Sequence, residues 1–92
     1  MRLLWTAGAR RDLDDIFACI AADNRAAAER VDEEIVRAAE GLRELPYRGR
    51  PGRKPGTREL VVPGRPYVLV YAVRGETLVV LRALHGARRW PA

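Results

Sequence analysis

The strongest constraint on the fold of this chain is a change of hydrophobic period near its middle. Leu13, Ile16, Phe17 and Ile20 stand at i, i+3, i+4 and i+7, with Arg11, Asp14, Asp15 and Ala18 on the other faces. Val31, Ile35, Ala38, Leu42 and Leu45 then repeat at spacings of four, three, four and three. Both stretches read as amphipathic helices. Thr6 is placed to cap the first, and Asn24 to cap a second that starts at Arg25 and is stopped by Pro46. So short a connection folds the helices back as an antiparallel hairpin with both apolar stripes on one side. From Thr57 the period falls to two, in TRELVV, PYVLVYAV and TLVVLRAL, separated by Pro63-Gly64-Arg65 and Arg74-Gly75-Glu76. These are strands of an antiparallel meander. RLLW at 2–5 supplies one more strand before the hairpin. The expected fold is α+β, a two-layer sandwich of order β-α-α-β-β-β, with the helical hairpin covering one face of a mainly antiparallel sheet. PYRGRPGRKPG at 46–56 reads as an irregular basic loop.

A chain of 92 residues predicts a single domain. No apolar run approaches the roughly 18 residues of a membrane span, and the opening MRLLWTAGARRD lacks a signal-peptide core. The expectation is a cytoplasmic protein with no membrane association. The lone cysteine, Cys19, falls in the apolar phase of IFACIAA and is expected to fill the core. The net charge of +5 conceals an asymmetry. Residues 1–45 hold seven arginines against ten carboxylates, a net of −3, whereas residues 46–92 hold nine arginines and Lys54 against Glu59 and Glu76, a net of +8. Such a surface attracts nucleic acid or an acidic partner.

Several chemistries are disfavoured by residue type. The neighbours Asp14-Asp15 and Glu33-Glu34 diverge by about 100° on a helix and read as solvated faces. One histidine and one cysteine give no metal-ligand spacing, so neither metal nor other cofactor is expected. GRPGRKPGT lacks the lysine-serine or lysine-threonine ending of a phosphate loop and follows a helix rather than a strand. The chain contains no serine, which removes serine hydrolysis. What remains is arginine chemistry. Arg58, Arg82, Arg88 and Arg89 with His85 could bind phosphates and move a proton in metal-free RNA cleavage. The structural alternatives are that His85 bonds the backbone at a strand end and that Arg82 pairs with Glu59 across the sheet.

The order of elements, together with Trp5 to Ile16 (W-T-x-x-A-x-x-D-L-D-x-I), Arg48-Gly49-Arg50 and the TRELVV to HGAR segment, resembles the RelE/ParE superfamily of bacterial type II toxins. The resemblance covers nearly the whole chain and is most specific in the C-terminal strands. It implies a growth-inhibiting toxin neutralised by a small ParD-like antitoxin that folds as it wraps the toxin. The superfamily has a RelE-like branch, which cleaves messenger RNA on the ribosome, and a ParE-like branch, which inhibits DNA gyrase. RNA-cleaving members carry lysines where this chain has Glu59 and Val61, and an arginine where it has Val68. Their C-terminal tyrosine has no counterpart, and only Arg88 matches. With each lost group costing about 10² to 10³ in rate, the ParE-like branch is favoured. A ribonuclease using Arg58, Arg82, His85 and Arg88 is the alternative, and an inactive homologue acting as a binding module is a third. Target- or antitoxin-binding residues are expected among Arg50, Arg58, Arg82, Arg88, Arg89 and Trp90, with Trp90 packing back on the domain.

Overall fold

A computed structural model describes residues 1–86. In chain order the elements are β1 (Arg2–Trp5), α1 (Ala7–Ala21), α2 (Arg25–Gly41), β2 (Arg50–Pro51), β3 (Arg58–Val61), β4 (Tyr67–Arg74) and β5 (Thr77–His85). They form a single five-stranded sheet of order β1-β5-β4-β3-β2, with β1 parallel to β5 and the other pairs antiparallel. The α+β class, the helical hairpin and the mainly antiparallel sheet are as the sequence predicted.

Both helices begin where expected. The Thr6 hydroxyl accepts from the Ala9 N–H at 3.0 Å and the Asn24 side chain from the Ala27 N–H at 3.0 Å, satisfying N-terminal donors that the helix itself leaves open. Two expectations fail beyond Leu42. The second helix ends at Gly41, not at Pro46, and Leu45 is exposed although its spacing continued the stripe. The basic loop also contains a short strand, because Arg50 and Pro51 pair with Glu59 and Arg58. Its proline sits on an edge strand, the one place in a sheet that tolerates a missing N–H.

Val31, Ile35 and Ala39 from α2, with Leu42 just after it, meet Leu69, Tyr71, Leu78 and Val80 from the central strands in the buried core. Leu13, Ile16 and Ile20 of α1 pack against it, so the predicted stripes face the sheet except at Phe17, which stands outside this cluster, and at the exposed Leu45. The tight β4–β5 turn uses Gly75 at φ 61, a left-handed conformation that costs glycine little. Cys19 is exposed, not a core filler: position 19 lies between Ile16 and Ile20 in sequence but just off the stripe those residues define.

β5 outruns its parallel neighbour. β1 ends at Trp5 opposite Val80, and a bulge displaces the β4–β5 register so that Tyr71 faces Val80 while Val70 faces Arg82. The backbone edge beyond Val80 is taken over by α1 and the residue that caps it. The Thr6 hydroxyl donates to the Leu81 carbonyl at 2.9 Å, and the Asp12 carboxylate accepts from the Ala83 N–H at 2.9 Å. Thr6 thus both caps a helix and closes a strand edge.

Candidate functional site

Pairing across the sheet sets Arg50 (β2), Glu59 (β3), Val70 (β4) and Arg82 (β5) in one row. Alternation places Glu59 and Val70 on the face opposite to Arg58 and Tyr71, and Tyr71 points into the helix-covered core. The arginines of the row are drawn to opposite ends by two carboxylates.

At one end, Glu59 is buried, its side chain 1% exposed. It accepts from the Arg53 backbone N–H at 2.9 Å, from the Arg53 guanidinium at 3.3 Å and from Arg50 at 3.2 Å. Burial pushes its carboxyl up, but the Arg53 backbone bond and the two guanidinium groups outweigh burial and hold it below the ordinary 4.5. A depressed carboxyl stabilises the fold above its unfolded pKa and loses that contribution as pH falls through the folded value. Thermal melts of the wild type and Glu59→Gln are therefore expected to differ most near neutrality and to converge as pH falls below about 4.5. A gap that stays constant down to pH 3 would contradict this role. Asp32, raised by burial and by the nearby charges of Asp14 and Glu33, acts with the opposite sign in both proteins, so the comparison isolates Glu59.

At the other end, Asp12 holds the Arg82 guanidinium through two bonds, 2.7 and 3.0 Å, while also capping the Ala83 N–H. Arg82 thus pairs with Asp12 and not with Glu59, which the nearer Arg50 and Arg53 occupy. The bulge in β5 brings Arg82 to the strand edge that α1 covers.

Arg58 lies on the core side of β3. Its guanidinium donates to the Gly49 carbonyl at 2.6 and 3.0 Å and to the Tyr47 carbonyl at 3.1 Å, and it lies 5.4 Å from the centre of the Tyr47 ring. It is a strut for the loop before β2. Tyr71 completes that strut: its hydroxyl accepts from the Gly49 N–H at 2.9 Å and donates to the Pro46 carbonyl at 2.8 Å. His85 lies at the far end of β5, opposite Tyr67 in register and edge-on to its ring at 5.9 Å. Asp12, Asp15, Ile16, Cys19, Tyr67 and His85 line a shallow cleft of 220 Å³ there.

The proposed ribonuclease residues therefore do not converge within the described chain. Arg58 faces Tyr71 and His85 faces Tyr67, positions about 13 Å apart along β4. Arg88, Arg89 and Trp90 lie outside the described residues.

Sequence reasoning assigned no pairing role to Asp12, Arg53 or Arg65, although Asp12 stands in the Trp5 to Ile16 pattern. A signal for Asp12 was present, since it stands three residues after Ala9 and four before Ile16, a carboxylate set on the apolar stripe. Glu34 is only half-exposed and forms a two-bond pair with Arg65 at 2.8 and 3.0 Å, tying α2 to the β3–β4 turn; of the Glu33-Glu34 pair, only Glu33 is a solvated face. Among the described residues no group of three histidine, cysteine or acidic side chains is disposed to hold a metal ion.

Residues 3–90 match the family model described as the ParE toxin of type II toxin-antitoxin system, parDE. The chain belongs to the ParE toxin family. A Sinorhizobium fredii (strain NBRC 101917 / NGR234) protein named "Putative toxin Y4kP" is 41% identical over 90 residues, spanning 98% of this chain and 93% of that protein. A solved structure titled "Chromosomal ParDE TA system from P. aeruginosa" superposes with a TM-score of 0.85 at 28% identity, covering 92% of this chain and 95% of the other. The ParE-like branch, favoured above on Glu59, Val61 and Val68, is thus the one the chain falls in. No helix among the described residues of this ParE-family protein is long and apolar enough to cross a membrane.

Proposed function

We infer that this ParE-family toxin arrests growth by binding DNA gyrase and is held inactive by a ParD-like antitoxin. The observation that carries the binding reading is the engagement of its arginines. Arg82 is clamped by Asp12, Arg58 bonds backbone carbonyls, and Glu59 stands where an RNA-cleaving relative would carry a lysine. A phosphodiester transition state needs donors preorganised around one point, and these two arginines are held at two. The antitoxin reading is supported by family membership and by the excess of cations in the second half, which suits an acidic segment that orders as it binds. Acting on gyrase would require the cytoplasm.

Expression of the chain alone is expected to stop growth, and co-expression of the antitoxin from an adjacent reading frame to restore it. Raising the cellular level of gyrase should raise the dose of toxin needed. A dose unchanged by gyrase would remove gyrase as the target, and unimpaired growth would leave a binding module that has lost toxicity.

A further inference from the structure

The β2–β3 hairpin carries a cationic arrangement more specific than the general excess of charge that supports the antitoxin reading. Residues 46–58 contain five cations and no carboxylate. Arg58 is consumed within the fold and Arg48 lies on the helix side of the sheet, against Arg37 and Val62. Arg50, Arg53 and Lys54 remain together. The buried Glu59 holds both guanidinium groups, whose side chains are still 61% and 46% exposed. The tip that carries Arg53 and Lys54 is itself fixed: the Gly52 N–H donates to the Thr57 carbonyl at 2.7 Å, and the Thr57 hydroxyl donates to the Lys54 carbonyl at 2.6 Å.

We propose that this hairpin is a nucleic-acid platform, with Arg50, Arg53 and Lys54 contacting the sugar-phosphate backbone. Two guanidinium groups share one carboxylate, so the cluster keeps an excess of positive charge, and anchoring on Glu59 removes part of the entropy cost of fixing long side chains. Planar forks suit phosphate oxygens. Between Arg50 and Gly56 the hairpin tip has no aromatic or large aliphatic side chain; the exposed Tyr47 and Val61 flank the three cations and do not sit at their centre, where a protein interface of useful affinity needs its anchor. Backbone contacts need none, since positively charged side chains supply most of the affinity. Glu59 is here a positioning residue, and the platform does not depend on gyrase being the target.

The test uses the full chain and fluorescence anisotropy with three probes: a short duplex DNA, a single-stranded RNA and poly-glutamate, each titrated between about 50 and 200 mM salt. The principal variant is Arg50→Gln/Arg53→Gln/Glu59→Gln, which replaces the buried carboxylate and its two exposed arginines with amides. It loses two positive charges and one negative, so the net charge falls by one, from +5 to +4. Arg30→Gln, on the exposed side of α2 in the helical layer, makes the same net change away from the hairpin and serves as the control. Thermal melts establish that both are folded, and Lys54→Gln tests the platform without touching Glu59. The platform predicts at least tenfold weaker nucleic-acid binding for the triple variant. Its salt slope should be shallower by about 2, from roughly −0.9 per lost phosphate contact. Lys54→Gln should lose about half as much slope, and Arg30→Gln should change little. Tighter binding of the duplex or of the RNA identifies which backbone is the natural ligand. Equal losses for the triple variant and Arg30→Gln would overturn the proposal, as would binding of poly-glutamate with neither nucleic acid bound.

Discussion

Asp12→Ala is expected to be the most damaging single substitution away from the hydrophobic core, lowering stability by about 3 kcal/mol. The side chain is one carboxylate with three donors: two from Arg82 and one from the Ala83 N–H. Alanine would remove two bonds from the Arg82 guanidinium and leave an N–H that no neighbouring strand reaches, because β1 has already ended at Trp5. The figure sits at the low end for a broken buried pair because the Arg82 side chain is 29% exposed and water can reach part of it. For a domain of this length the loss corresponds to roughly 10 to 20 °C in Tm. A double-mutant cycle sharpens the test. If the pair acts as a unit, Asp12→Ala/Arg82→Leu should cost at least about 1 kcal/mol less than the two single changes added together. Strict additivity would mean that Asp12 acts through Ala83 alone.

Gly49→Ala should cost about as much for a different reason. A Cβ at position 49 would lie 2.6 Å from the Tyr71 hydroxyl and 2.8 Å from the Glu59 carbonyl oxygen, far inside van der Waals contact. Neither neighbour can yield freely. The hydroxyl is fixed between Gly49 and Pro46, and the carbonyl belongs to a strand in register with β2 and β4. Displacing the loop would also strip Arg58 of its carbonyl partners. A penalty of about 3 kcal/mol follows from overpacking together with one lost buried hydrogen bond. Tyr71→Phe, which removes the hydroxyl but creates no clash, should cost about half that. Equal melting temperatures for Gly49→Ala and wild type would show that the loop is free to move, and the strut assigned to Arg58 would go with it.

Comparison of these residues with the sequence shows what periodicity can and cannot reach. The two helices and the meander were legible because burial on one face imposes 3.6- and 2-residue repeats, and Thr6 and Asn24 marked the helix starts through capping chemistry. Leu45 misled because a repeat persists in sequence after the chain has turned, and β2 was hidden because two residues cannot show a period. Partner choice was the harder problem. Arg82 and Glu59 lie on strands separated by β4, yet each bonds elsewhere: a bulge sends one toward Asp12, and a tight hairpin brings Arg53 to the other. Such pairings depend on local irregularities that residue types alone do not encode. Family membership was legible through Trp5 to Ile16 and the final strands, and the choice of branch through residues the RNA-cleaving relatives would need and this chain lacks.

The most direct test of a binding toxin against a nuclease sets the purified protein against two targets in parallel, DNA supercoiling by gyrase and cleavage of messenger RNA on translating ribosomes. The expected result is dose-dependent loss of supercoiling with the message intact, and His85→Ala leaving that pattern unchanged. Ribosome-dependent cleavage of the message with supercoiling unaffected, abolished by His85→Ala or Arg88→Ala, would contradict it.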